Sequence, residues 1–353
     1  MNTRLAIIAF CLFSYECSSY ADKSLTVKLL NPIPEYPALE INTELLAIKD
    51  TIPFAPESIW VEDTLLIIKT QHKTGFLRLY SLSSGELVKS YGAIGRGPGE
   101  YLYPKVFMNA KGEYIIADRL KFGIVHIDQM LLQENYKAKM YYVEKGLSAV
   151  NFISMLSDNN TVIFNSGSDE NQLCFMKLDD MKIEPYNHYP IIQGVKITNF
   201  IASTNIFRSS MSRNDDYVYA AYIHYPIIDI ISIEDKTVKR SMHPLTPSAN
   251  RVTMIDPINA VIDNKFIFYL ASYVINSGFY TLYFGDSEDN IENLRTMPEI
   301  LKYDLSGDLL VRYKLNRLVY DFCIDESGEN GYFLSIDKDN EPVVLKASLM
   351  VID

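Results

Sequence analysis

The sequence predicts an all-β fold: a single six-bladed β-propeller of four-stranded antiparallel blades, closed by an N-terminal strand. Three observations carry that expectation. A strand–turn–strand pattern recurs six times, the copies are roughly fifty residues apart, and their turns are rich in Asp, Asn and Gly.

The first residues stand outside the pattern. Arg4 supplies a positive start, Leu5 to Phe13 an apolar run too short for a bilayer, and Ser19-Tyr20-Ala21 a small-residue cleavage site. Residues 1–21 read as a signal peptide and residues 22–353 as the propeller. A second reading ends the signal before Cys17, whose thiol would be lipidated and would tether the chain. Glu16 stands where such a box usually has a small residue.

The six copies follow in order. Glu57 to Lys69 forms the first strand pair, turning at Glu62-Asp63. Phe107 to Asp118 turns at Ala110-Lys111-Gly112, and Phe152 to Asn165 at Ser157 to Asn160. Ser209 to Ala221 turns at Arg213 to Asp216, Asn259 to Leu270 at Asp263-Asn264, and Phe322 to Ile336 around Ser327-Gly328. Asx and Gly residues belong there because they tolerate the left-handed backbone of tight hairpins. Second strands start near Leu65, Tyr114, Thr161, Tyr217, Lys265 and Gly331. A third strand with a polar turn then recurs at Phe76 to Leu87, Ile124 to Leu132, Leu173 to Ile183, Ile228 to Val238, Ile300 to Leu309 and Pro342 to Leu349. The sixth copy runs out of chain before a fourth strand. Ser24 to Leu30 or Leu45 to Ile52 is expected to supply it.

Composition narrows the function classes. Of 353 residues, 48% are hydrophobic and 22% charged, which is too apolar for a disordered chain. Asp plus Glu (44) exceeds Lys plus Arg (33), and the net charge of -11 speaks against a nucleic-acid partner. Beyond the signal region only Cys174 and Cys323 remain, and they are expected to be buried singly rather than bridged.

One stretch is more specific. Tyr91 to Asp128 contains Gly95-Arg96-Gly97-Pro98-Gly99-Glu100-Tyr101, then Pro104, Gly112, Tyr114 and Ala117-Asp118. It resembles the NHL-type propeller repeat. It is even more similar to the exported six-bladed propellers common in Bacteroidetes, including TolB-like lipoproteins, whose first inter-blade loop often carries such a segment. The resemblance implies an exported propeller, often lipid-anchored, and supplies no agreed catalytic residues. On its own chemistry the loop is a sharp connector, with Arg96 and Glu100 expected to pair across it; the alternative is a ligand contact from Arg96. It lacks the Lys-Ser/Thr ending of a phosphate loop.

The search for chemistry finds no HExxH pair, no Cys/His cluster and no serine elbow. His188-Tyr189-Pro190 and His224-Tyr225-Pro226 read as loop corners. The residues opening the six inner strands are Glu57, Lys105, Asn151, Arg208, Asn259 and Asp321, an expected polar mouth on the axis. Glu57, Asn151, Asn259 and Asp321 would suit an axial cation; Lys105 and Arg208 would repel it. Two apparent insertions, Glu184 to Phe207 and Ala271 to Glu299, are further candidates; the second holds Tyr273, Phe279, Tyr280, Tyr283, Phe284 and a short helix capped by Ser287.

The expected function is a non-catalytic binding or scaffold propeller of the cell envelope, periplasmic or outer-membrane, for a protein, peptide or glycan. The chain is expected to be monomeric, without cofactor, and to reach a membrane only through a lipid anchor. The alternative is a lactonase- or lyase-like enzyme with an axial metal.

Overall fold

The computed structural model describes residues 25–350, apart from 54, 98, 110, 148–149, 167–170, 191–208, 245–250, 255–259, 264 and 294. The expected signal peptide, Cys17, Arg208 and Asn259 lie outside the described residues. Three short strands come first: β1 (Leu25–Leu29), β2 (Ala38–Ile41) and β3 (Glu44–Leu45). The first blade then comprises β4 (Pro56–Glu62), β5 (Leu65–Thr70), β6 (Thr74–Ser81) and β7 (Leu87–Ala93), hydrogen-bonded in that order. The second comprises β8 (Lys105–Met108), β9 (Tyr114–Val125) and β10 (Lys139–Leu147); helix α1 (Ile127–Leu132) lies between the last two. β9 pairs with β8 through Tyr114 to Ala117 and with β10 through Arg119 to Ile124. The change of partner falls at Arg119, whose φ is 48°.

The third blade is β11 (Val150–Met155), β12 (Thr161–Ser166), β13 (Leu173–Lys177) and β14 (Ile183–Tyr186). The fourth is β15 (Ser209–Arg213), β16 (Tyr217–Tyr222), β17 (Ile227–Ser232) and β18 (Val238–Met242). A separate hairpin, β19 (Arg251–Met254) with β20 (Ala260–Asp263), follows. The fifth blade is β21 (Phe266–Ile275), β22 (Gly278–Ser287), β23 (Glu299–Tyr303) and β24 (Leu309–Leu315), with helix α2 (Glu288–Glu292) after β22. The sixth is β25 (Asp321–Ile324), β26 (Asn330–Ile336) and β27 (Pro342–Ser348).

The Asx turns recur as physical devices. The Asn109 side chain accepts from the Lys111 and Glu113 amides, Asp158 from Asn160 and Thr161, Asn214 from Asp216 and Tyr217, and Asp325 from Glu329 and Asn330. Each satisfies backbone donors that a hairpin tip leaves unpaired. The strands between them are buried on both faces because blades stack against blades. All six residues of β17 are buried, and each buried Ile contributes about 1.5–3 kcal/mol relative to exposure. Cys174 and Cys323 are buried and unbridged, as expected.

The N-terminal strands girdle the rim. β3 pairs antiparallel with β27, Leu45 opposite Leu345, and completes the sixth blade. Leu46 N–H continues that edge by donating to the Val344 carbonyl at 2.9 Å. The closing strand therefore starts at Glu44, one residue before the second of the two expected segments, and overlaps it at Leu45 and Leu46. The first segment has a different use. β1 lies parallel to β18 as a fifth strand of blade four, and β2 lies parallel to β24 as a fifth strand of blade five.

Two expectations are corrected. Ile124 to Leu132 is not a strand, a polar turn and the start of a fourth strand: β9 ends at Val125, and Ile127 to Leu132 is helical. Ile127 and Met130 lie three apart and share a buried face there, a helical spacing that a strand reading overlooks. The fifth copy is also out of phase. Its first turn is Asn276-Ser277, not Asp263-Asn264, and Asp263 closes the separate hairpin. The apparent aromatic insertion is thus the inner pair of the blade, with Tyr273, Phe279, Tyr280 and Phe284 buried. The expected helix is present: the Ser287 hydroxyl caps it by accepting from Asn290 N–H at 3.3 Å.

Candidate functional site

The innermost strands β4, β8, β11, β15, β21 and β25 surround a cavity of about 350 Å³ on the axis. Small side chains make the room. Ser58, Ser210, Ser212, Ala271 and Ser272 stand on its wall, and Ser210 and Ser272 join blades four and five with their hydroxyls 3.0 Å apart.

The chemistry of the cavity lies mostly at its hairpin-tip end. Glu62 closes β4 there, with Oε2 buried and without a hydrogen-bond partner. Burial, then the charges of Asp128 and Asp63, push its carboxyl up to about 7. Arg213 ends β15 with its guanidinium buried. Its Nε donates to the Asn214 carbonyl at 2.9 Å and Nη1 to the Met155 carbonyl at 3.1 Å, while Asp215 lies 3.4 Å from Nη2. Burial lowers its pKa, and Asp215 opposes that shift. Ser212 Oγ is a second buried, unpartnered atom on the wall. Asp63, Asp215 and Glu326 also line the cavity, so acidic groups outnumber Arg213.

The opposite ends of the inner strands hold the residues expected from sequence. Asn151 and Asp321 line the cavity. Asp321 Oδ2 accepts from the Ile59 amide at 3.0 Å, which ties blade six to blade one. Burial pushes its carboxyl up to about 7. Lys105 does not line the cavity; its Nζ donates to the Val150 carbonyl at 2.8 Å and reaches Asn151 Oδ1 at 3.5 Å, tying blade two to blade three. Glu57 is also off the wall, held by an ion pair with Lys69 and by Gln71 Nε2 at 2.7 Å. The structure therefore brings Asn151 and Asp321 to the cavity but not Glu57. Among the described residues, no group of three or more His, Cys, Asp or Glu could hold a metal ion.

Glu62 and Arg213 escaped sequence reasoning because both sit where a hairpin turns, and polar residues there read as solvent-facing. The clue available was an Arg beginning an Asn-Asp-Asp turn. At the connector between blades one and two, the expected Arg96–Glu100 pair does not form. Glu100 Oε2 accepts instead from Gly97 N–H at 2.6 Å, and Arg96 is exposed. The backbone donor is already in place and needs no long side chain to be immobilised. His188 and His224 lie outside strands, at corners as expected.

A family model described as TolB-like 6-blade propeller-like matches residues 39–327. The chain belongs to this TolB-like family. Solved structures agree on the fold of this TolB-like chain. A putative exported protein from Bacteroides fragilis is 12% identical with a TM-score of 0.59, covering 92% of this chain and 100% of its own. A member of the DUF4221 family from Bacteroides vulgatus is 10% identical with a TM-score of 0.56, covering 89% and 97%. U3-55K is 9% identical with a TM-score of 0.52, covering 87% and 98%. No curated protein matches. Among the described residues of the TolB-like chain, no helix is long and apolar enough to cross a membrane.

Proposed function

We propose that this TolB-like chain is a non-catalytic binding propeller of the cell envelope that takes the polar end of a peptide or glycan into its axial cavity. The observation that carries the reading is the pair of buried, unpartnered atoms on the cavity wall, Glu62 Oε2 and Ser212 Oγ. A buried polar atom without a partner is unfavourable, so an incoming hydroxyl or amine that satisfies either one is favoured. The acidic excess around them selects donors over anions.

Export rests on the N-terminal pattern of Arg4, the apolar run and the Ser19-Tyr20-Ala21 site, together with a solved structure of the same fold that is named a putative exported protein. Lipidation at Cys17 would place the propeller at a membrane surface; cleavage after Ala21 would release it. Replacing Cys17 with Ala and following membrane fractionation separates the two. The binding reading is tested on a peptide and glycan array with the wild-type chain and Ser212→Leu, which fills the cavity. Ligands that are captured by the wild type and lost by the variant support it. An empty array, or ligands that bind both proteins equally, would sink it.

A further inference from the structure

The connector between blades one and two carries a second depression, of about 320 Å³, separate from the axis. Arg96, Glu100, Asp118, Arg119, Lys121 and Tyr142 line it. Its two carboxylates are spent on the main chain. Glu100 is held by Gly97 N–H, and Asp118 accepts from the Leu102 and Tyr103 amides at 2.8 and 3.0 Å. A Cβ on Gly95 would stand 2.0 Å from the Glu100 carboxylate, so this glycine leaves the space in which that group sits. The three cations are without carboxylate partners among the described residues. Lys121 Nζ donates to the Glu100 carbonyl at 2.6 Å, Arg119 lies over the Tyr103 ring at 5.2 Å, and Arg96 is exposed. Two aromatic rings stand open beside them: Tyr142 is 73% exposed and Tyr103 69%. Tyr142 faces Lys121 directly across the β9–β10 register.

We propose that this depression binds an acidic saccharide, with its carboxylate or sulfate groups on Arg96 and Arg119 and a sugar face on Tyr142. A guanidinium takes such anions through paired hydrogen bonds, and an open tyrosine ring offers a flat apolar face beside a polar rim. Three cations against two occupied carboxylates make a local positive island in a chain of net charge -11. That overall charge repels a long polyanion such as nucleic acid and favours a short, sparsely charged ligand. The proposal is independent of the axial cavity, and either can fail alone.

Isothermal titration calorimetry of the full chain tests it with four probes: a short oligogalacturonate, a monosulfated oligosaccharide, a neutral malto-oligosaccharide and a single-stranded oligonucleotide. At least one acidic saccharide should bind about tenfold or more tightly than the neutral one. The carboxylate and sulfate arms identify the preferred anion. Arg96→Gln combined with Arg119→Asn, and separately Tyr142→Ala, should each weaken binding about tenfold with the melting temperature held. Asn is chosen because it tolerates the left-handed backbone at position 119. Neutral sugar binding as tightly, no saccharide binding, unchanged affinity in both variants, or preference for the oligonucleotide would each overturn the proposal.

Discussion

Along the outer rim, residues 25–50 are fastened largely through the main chain; around the axis, the blades are joined by side chains. On the rim, β1, β2 and β3 extend three sheets by ladder pairing, and Lys49 N–H reaches the Gly85 carbonyl of blade one at 2.9 Å. On the axis, Asp321 to Ile59, Lys105 to Val150 and Ser210 to Ser272 bridge neighbouring blades. The difference teaches where sequence can vary. Main-chain pairing tolerates many residue types, so the rim supplies stability with little chemical identity. The axis depends on particular carboxylates, hydroxyls and cations, which is where a ligand can be selected.

The largest effect is expected from removing the rim. Deleting residues 22–52 takes the fourth strand from blade six and the fifth strands from blades four and five. Cooperative unfolding should move down by roughly ten degrees or more, or be lost, as read by calorimetry. A truncated chain melting at the full-length temperature would reverse the comparison. Next comes the buried pair beside β1, where Arg240 grips Asp229 at 2.6 Å and 2.7 Å. Arg240→Met leaves that carboxylate buried with the neutral donors Tyr222 and Gln172 but without this cation, and should destabilise by about 3–5 kcal/mol in denaturant titration. A change near zero would mean that the side chains here are as replaceable as the rim strands.

Smaller still is Gly85→Ala. Gly85 has φ 70°, and a Cβ there would lie 2.0 Å from the Ala47 carbonyl oxygen of the rim segment. About 1–3 kcal/mol should be lost, measured by denaturant midpoint. The subtlest test is pH. His243 donates from Nδ1 to the Asn31 carbonyl at 2.6 Å and accepts at Nε2 from Tyr303, at 3.3 Å; the Asn31 carbonyl favours the charged ring, and burial outweighs it. Burial lowers its pKa from 6.5 to about 4. Between those values the unfolded chain binds more protons, so this group makes stability rise with pH. Asp321 is raised from 3.8, and Glu62 from 4.5, to about 7. Across those windows the folded chain binds more protons, so the axial groups make stability fall as pH rises. His243→Gln should steepen the fall of stability between about pH 4 and 6.5, and Asp321→Asn should lessen it, in unfolding curves taken across pH. Parallel shifts in both variants would show that neither group titrates as its surroundings require.

Much of the ring was legible because hairpin tips need special residues. Asp63, Gly112, Asn159 and Gly328 were read as turn residues, and all four have positive φ. Closure was legible from the missing fourth strand of the last copy. Blade five was not, because Phe266 to Ile275 carries large apolar residues at buried and half-buried positions alike, so the sequence does not alternate even though burial along β21 does. The axial residues were half legible. Asn151, second in β11, and Asp321, first in β25, face inward, whereas Glu62 and Arg213 enter the cavity only because hairpin tips of separate blades converge there.

The rim girdle also orders events in time. β1 precedes its partner β18 by more than two hundred residues, and β3 precedes β27 by about three hundred. These strands, synthesised before the blades, cannot seat until the last three blades exist. Docking of this strap is therefore a late step in folding, and its release an early step in unfolding. A chain held by its N-terminus would complete its ring around a segment that waits, extended, for the rest to arrive.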